Sequence, residues 1–551
     1  MSSRDGLADR LEGGYSLYLY IMASSSRGSL PPKFNGMLWN TRGDARLWGS
    51  QHWWNNLACL YSALPAANHW ELAQPMLDMY WRMRESCELA ARQQWASRGM
   101  YIPETVAFNG LEPLPEDIAA EMPGLYLMQR PWETMSAAFR QYAHGRHPHC
   151  SRWNFKQEMG FRDGAWTWID RGSGPFGSVT HIFASGAKVA WMFWLRYDYT
   201  RDIDWLRERA YPMLRGVAEF YRNLPSLKRE ADGRYHLHHV NNSEGAWNAS
   251  DTLEELTALR GILMVAGRAA HILGVDADLQ AAWAEVLANL ADLPTTADAD
   301  ALHPRQADEP PRWDTGRNPD ACLRSGKWGG HVLSPLQFFD LCSDETEDPA
   351  VPRIARQTFE GLRTTKRFVR VSPLSDLSTA AAILGLSDDL KAILQAQLPP
   401  PPPLQSEHDR ILPNRLSTAD GNVELPGTTV EPHGRAAAGI QLALVQSLPP
   451  GPGQEPVICL FQSWPADWDV CFTLLARGGF LVSSSMRGGQ VGPVEIVSQV
   501  GGTCRLRSPW PQAPLRLTID GAAPRRVEPG DTICLHTDPG QRLRLESWNK
   551  E

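Results

Sequence analysis

From about residue 48 to residue 448 the apolar residues recur at helical spacing, and this period limits the fold more than any other feature of the chain. The clearest case is Leu253, Leu256, Leu259, Leu263, Ala266, Ala270 and Leu273, which follow one another at steps of three and four. Asp251 and Glu254 fit a capping box ahead of that stripe, at N-cap and N3. Gly274 supplies the stop. Further helices are expected over residues 11–24, 132–143, 181–199, 205–222, 279–290, 349–363, 378–386 and 434–448, with Pro212 kinking or dividing the fourth of these. The connection over residues 199–202 is short, as between antiparallel neighbours. Paired helices of this kind build an all-α toroid or solenoid. No repeat of fixed length is visible, which disfavours a regular solenoid.

Two long stretches, 97–153 and 296–330, interrupt the helical pattern, and Pro399 to Pro403 reads as a stiff surface spacer. After Pro449-Pro450-Gly451-Pro452-Gly453 the period changes. Short β-type runs at 457–461, 471–475, 480–482, 494–500, 504–506, 515–519 and 532–535 are punctuated by Gly, Pro and Asp. The expected fold is therefore mainly α, followed by a small C-terminal antiparallel β-domain. A chain of 551 residues has room for both.

Several functions are disfavoured by what the sequence lacks. The net charge is -8 with no basic block, so nucleic acid is not an expected partner. Nine cysteines form no CxxC pair, which argues against a zinc or redox site and reads as mostly free thiols. His147-Pro148-His149 with Cys150 lacks a matching second cluster and reads as a loop, so neither metal nor cofactor is expected. There is no phosphate loop, no H-E-x-x-H helix and no G-x-S-x-G elbow. Residues 1–14 are polar and charged, unlike a signal peptide, and the apolar run 15–23 is too short to span a bilayer. The chain as it stands reads as cytoplasmic and not membrane-bound.

Twenty-two Trp fit two readings, a helical core that uses Trp or flat platforms for sugar rings, whose C–H faces and hydroxyls suit aromatic sites with polar neighbours. The segment from Trp48 to Asn56, WGSQHWWNN, fits either reading. His52, Trp53, Trp54, Asn55 and Asn56 are its candidate ligands. If the substrate is a glycan, cleavage requires two acid–base groups on opposite sides of the anomeric carbon. The acid should sit in a partly desolvated place that raises its pKa. Glu244, within Asn241-Asn242-Ser243-Glu244-Gly245-Ala246-Trp247-Asn248, is the best such acid: a loop carboxyl among amides beside Trp247. A solvated inter-helix loop would look the same. Glu424, Glu431 and His433 lie in a second polar loop before a helix, and Glu104 in Pro103-Glu104-Thr105 reads equally as a cap or a ligand.

Some of these segments resemble a known family. Leu30-Pro31-Pro32-Lys33-Phe34-Asn35-Gly36, then Trp48-Gly49 and Trp53-Trp54-Asn55-Asn56, resemble the start of the catalytic domain of glycoside hydrolase family 95 and of its less characterised relatives. Tyr101-Ile102-Pro103-Glu104-Thr105, the stretch 199–221, and Trp464-Pro465 with Trp468-Asp469 resemble later parts. The resemblance implies an (α/α)6 toroid of the six-hairpin glycosidase type, with residues 1–29 a linker helix and turn, 30–450 the catalytic barrel and 451–551 a β-sandwich-like domain. It implies an inverting, exo-acting glycosidase on an oligo- or polysaccharide, with Glu244 the general acid. Glu431, in the place of the family's Asp, would activate water together with Asn56. The family's Asn-x-Asn is here the adjacent pair Asn55-Asn56, and Glu for Asp lengthens the arm by one methylene. Members usually begin with an N-terminal β-sandwich and often a signal peptide, so a truncated N-terminus would make the protein periplasmic or extracellular. The alternatives are a polysaccharide lyase recruiting Arg171, His181 and Tyr101, or a glycan-binding protein without turnover.

Overall fold

The computed structural model describes residues 1–32, 51–144, 157–162, 165–170, 179–318, 321–323, 328–329, 331–365, 374–398, 430–530 and 532–548. The readings that fall on 33–36, Trp48, Gly49, His147 to Cys150, Arg171, the polyproline run and Glu424 lie outside the described residues.

The helices are α1 (Leu7–Ser25), α2 (Trp54–Tyr61), α3 (Trp70–Arg82), α4 (Arg84–Trp95), α5 (Glu116–Tyr126), α6 (Ala137–His144), α7 (Ala184–Thr200), α8 (Ile203–Trp205), α9 (Tyr211–Arg222), α10 (Leu253–Leu273), α11 (Ala277–Ala288), α12 (Ser334–Gln337), α13 (Ala350–Arg363), α14 (Leu377–Ile383), α15 (Ser387–Gln397) and α16 (Glu431–Leu444). Short strands lie between them: β1 (His52–Trp53), β2 (Thr105–Val106), β3 (Gln157–Arg162), β4 (Ala165–Asp170), β5 (Leu227–Arg229), β6 (Tyr235–Leu237), β7 (Val240–Asn242), β8 (Ala246–Ala249) and β9 (Cys322–Leu323).

Helix α10 is buried on nearly every side because α7, α9 and α11 pack around it. Its length and composition would let it cross a membrane, but 61% of its most apolar window is buried inside the protein, as in a core helix. Its start differs from the expected capping box. Thr252 is the N-cap, and the Leu253 N–H is satisfied by the Thr315 carbonyl. Asp251 has φ 47° and turns its carboxylate to tertiary partners: the Leu237 N–H at 2.8 Å, His236 at 2.6 Å and Arg317 at 3.1 Å. Those partners outcompete the local cap.

Pro212 divides its segment, but one turn earlier than the proline itself. It sits in the first turn of α9, where a missing N–H costs little. The preceding turn, Leu206–Ala210, widens to a π-helix, which relieves the clash a proline makes with the i−4 carbonyl. Asp202 caps the short α8 through the N–H groups of Asp204 and Trp205. The helix expected over 434–448 ends at Leu444, and the chain continues as a strand. α5 arises in a stretch rich in proline, with Pro115 at its N-cap and Pro123 inside it, which hid it in the sequence.

The C-terminal strands are β10 (Val445–Leu448), β11 (Val457–Leu460), β12 (Val470–Ala476), β13 (Phe480–Arg487), β14 (Gln490–Val491), β15 (Val494–Ser498), β16 (Gly502–Arg507), β17 (Leu515–Ile519), β18 (Arg525–Val527), β19 (Thr532–Thr537) and β20 (Arg542–Ser547). They form a four-stranded sheet, β10-β11-β16-β19, and a larger sheet, β12-β13-β15-β20-β17-β18, with β14 on β13. Alternating burial along β13 shows one face turned inward. Both sheets contribute to one apolar cluster, which also takes in Leu7 and Leu11 of α1 and residues of α13 to α16. A second cluster fills the helical part, with Trp54, Trp95, Trp194 and Trp283 among its largest side chains.

Candidate active site

The segment carrying Glu244, read as a loop, is a hairpin. β7 and β8 pair antiparallel with a register irregularity between Val240 and Asn242, and β9 pairs with the far side of β8. The strands are only three and four residues long and rich in Asn and Ala, which strands disfavour, so no alternation reveals them. Asn241 and Asn242 are fully buried. The Asn241 N–H donates to the His181 carbonyl at 3.0 Å, and the Gly245 N–H closes the turn onto the Asn242 carbonyl at 3.0 Å. Ser243 sits in the turn with φ 47°, a left-handed conformation that costs about 1 kcal/mol or more for a residue with a side chain. Glu244 follows it, half-buried.

The first turn of α2 faces this hairpin. β1 and β2 pair His52 with Val106 and Trp53 with Thr105, which places Glu104 beside the helix start. Trp53 contributes no side-chain cap. Glu104 takes that part from across the pairing: its carbonyl accepts the Trp54 N–H at 2.9 Å and its carboxylate accepts the Asn55 N–H at 2.9 Å. A carboxylate is favourable at a helix N-terminus. Ser185 of α7 donates to the other carboxylate oxygen of Glu104. The two amides then point to different segments. Asn55 Nδ2 donates to Ser243 Oγ at 3.4 Å, next to Glu244, and Asn56 Nδ2 donates to Glu431 Oε1 at 2.9 Å. Glu431 is buried in the first turn of α16. α16 can approach α2 this closely because position 434 is Gly: a Cβ there would lie 2.0 Å from the Cys59 carbonyl oxygen.

A buried charge network lies at the start of α10. Lys188 of α7 donates to Glu254 at 2.5 Å and sits 4.0 Å from the Phe338 ring centre. Burial opposes the charge on Glu254, but Lys188, His331 and the Ser243 backbone outweigh it and hold the carboxyl below its ordinary value. Glu255 accepts the N–H groups of Phe183 and Ala184 at 2.7 and 2.9 Å and the Tyr221 hydroxyl at 2.7 Å, and burial pushes it up to about 8. Burial likewise pushes Glu104 up to about 7, against the pull of Ser185, the Asn55 N–H and Lys188.

The structure thus brings Asn55, Asn56, Glu431 and the Glu244 turn together. Trp53 and Trp247 are half-buried, and His52 is buried in β1. Trp54 packs edge-on against Tyr80 at 5.9 Å inside the core. Glu104 is 1% exposed, behind the first turn of α2. The ring of His433 lies beside Gly14 of α1, and burial pushes it down to about 4, so it is neutral at neutral pH. Tyr101 and His181 pack against Trp95 in the buried aromatic cluster, and burial pushes His181 down to about 3. Sequence reasoning missed Ser185, Lys188, Ser243 and Glu255. The available signal was a lone Lys in the apolar run before Trp191, and two adjacent acids opening a largely apolar helix.

The profile of the glycosyl hydrolase family 95 catalytic domain matches residues 158–301, which include the hairpin and α10. No curated protein sequence matches the chain. Solved structures do. One, from the human microbiome and assigned as a kojibiose phosphorylase, superposes with a TM-score of 0.55 at 11% identity over 96% of this chain and 66% of that one. The α-L-rhamnosidase from Streptomyces avermitilis, complexed with L-rhamnose, gives a TM-score of 0.38 at 14% identity over 70% of this chain and 35% of that one. The α-L-rhamnosidase from Dictyoglumus thermophilum gives 0.37 at 11% identity over 66% and 39%. The chain spans less than two thirds of the length of each of these structures. Residues 158–301 are thus similar to the catalytic domain of that family, and the chain as a whole shares the fold of the first structure.

Proposed function

We propose that the protein is a glycoside hydrolase, inverting and exo-acting, with the helices arranged as an (α/α)6 toroid. Ring closure is supported by the packing of α16, the last helix of the helical part, against α1 and α2. The observation that carries the reading is the meeting of three distant segments at the first turn of α2: Ser243 beside Glu244, the Asn55-Asn56 pair, and Glu431. In this mechanism Glu244 gives its proton to the glycosidic oxygen as the bond to the anomeric carbon breaks. Water attacks that carbon from the opposite face and passes a proton to Glu431. Asn56 suits the second half, because a carboxamide can donate to a carboxylate and accept from a water at the same time. Inversion requires the two carboxyl groups to stand roughly 6.5–9.5 Å apart around a bound sugar, leaving room for that water.

The test is a panel of plant and microbial oligosaccharides, incubated with and without inorganic phosphate and followed by proton NMR. The expected result is phosphate-independent release of a monosaccharide whose first-formed anomer is inverted. Phosphate-dependent formation of a sugar 1-phosphate would replace hydrolysis by phosphorolysis, the activity named for the structure of similar fold. An unsaturated, ultraviolet-absorbing product would make the protein a lyase. Binding of a glycan without turnover would make it a lectin-like protein.

A further inference from the structure

Ser243 is held from two sides. Its hydroxyl accepts the Asn55 side chain at 3.4 Å, and its backbone meets the Glu254 carboxylate. Behind these two anchors the connections close on themselves. Glu254 pairs with Lys188, and the charge of Lys188 acts on Glu104 as well. Glu104 accepts the Asn55 N–H and the Ser185 hydroxyl, one on each oxygen. A side chain with two polar atoms on an arm of that length spans both, since the Ser185 hydroxyl can donate or accept. Trp53 makes no side-chain cap for α2, so beside the backbone bond from Trp54 to the Glu104 carbonyl this carboxylate holds the first turn and the direction of Asn55 and Asn56.

We propose that Glu104 is a positioning residue for the site: through the Asn55 amide it fixes the first turn of α2, and so sets both the Ser243–Glu244 turn and the Asn56–Glu431 contact. The role assigned to that contact rests on the hydrolase reading, while the positioning itself does not. The groups facing Glu104 are Ser185 and Lys188 from α7, Glu254 from α10 and Tyr80 from α3. Glu104 is buried, so it acts through Asn55 and not on a sugar.

Hydrogen–deuterium exchange of the full chain tests this without substrate. Glu104→Ala, and Glu104→Asp with its shorter arm, should raise exchange about tenfold over residues 54–57 and over 241–246, the loss expected of one charged hydrogen bond, with β12 and β13 unchanged. Glu104→Gln should rescue both segments, since its carboxamide oxygen accepts the Asn55 N–H and Ser185 can accept from its NH2. Asn55→Ala should raise exchange over 241–246 and spare 54–57. If Glu104→Ala does not fold, Glu104→Asp carries the comparison. A rise confined to 54–57, a Gln variant behaving like Ala, or an Asn55→Ala hairpin like wild type would overturn the proposal. On any glycoside the panel shows to be cleaved, Glu104→Asp should lower kcat about tenfold and leave KM within about twofold, the pattern of a lost transition-state interaction. A chain that cleaves no glycoside would remove the hydrolase reading and leave the exchange result standing.

Discussion

Glu104 and Glu255 stand out among single residues, because burial raises one to about 7 and the other to about 8, from an ordinary value of 4.5. A carboxyl raised in this way holds its proton more tightly folded than unfolded. Its contribution to stability is therefore complete below about 4.5 and declines as pH rises toward the folded value. Replacing Glu104 by Gln removes its share of that decline. Urea unfolding at pH 5, 6, 7 and 8 should show the stability of Glu104→Gln relative to wild type improving with pH, by an amount on the order of 3 kcal/mol at most. A difference that stays constant across the range would refute the assignment. At this scale the sequence was legible in part. Glu244, Asn56 and Glu431 could be named from their segments. Glu104 could be read only as a cap or a ligand, and Ser185 and Lys188 could not be named as its partners, because α7 is distant from Glu104 in the chain and the groups become neighbours only through the packing of α7, β2 and α10.

At the scale of elements, the contact between α2 and α16 decides whether Asn56 reaches Glu431. Gly434→Ala would place a Cβ against the Cys59 carbonyl, so the helices must separate. The expected cost is about 3 kcal/mol, the upper end for overpacking, read as a lower urea midpoint. Gly267→Ala in α10 is the control. Nothing lies within 4 Å of the added carbon, and it should be neutral or stabilising by up to about 1 kcal/mol. Equal effects at the two positions would contradict the packing account. The long helices were legible because an apolar stripe survives small errors of boundary. The hairpin holding Glu244 was not, since its strands are too short to alternate and are completed by pairing with the distant His181 carbonyl and β9. Asp251 misled for a related reason: its sequence position suits a cap, yet His236 and Arg317 claim its carboxylate.

Across the whole molecule, the sheets and the helices are joined by a buried ion cluster. Arg477, between β12 and β13, donates to Asp340 at 2.9 Å through Nη2 and lies 3.4 Å from Asp198 at the end of α7. The Gly478 N–H also donates to the Asp198 carbonyl at 2.7 Å. Arg477→Met would leave buried Asp340 without this cation and Asp198 with Arg201 alone, at a cost of about 3–5 kcal/mol. Adding Asp340→Asn should restore part of that loss, and urea unfolding of the single and double variants measures it. If the single variant is as stable as wild type, the cluster does not join the two parts. The change from helical to β-type patterning near residue 449 was visible in the sequence. The cluster that ties the sheets to α7 was not, because its partners are about 140 and 280 positions from Arg477 in the chain.

The central claim is that Glu244 supplies the proton in a glycosidic cleavage. The most direct measurement is the turnover of the wild type and of Glu244→Gln on the same oligosaccharide panel, with exchange over residues 241–246 confirming that the hairpin is intact. The variant should lose about two to four orders of magnitude in kcat, the contribution of a positioned general acid, and should still bind the sugar. Equal turnover by the two proteins would contradict the account.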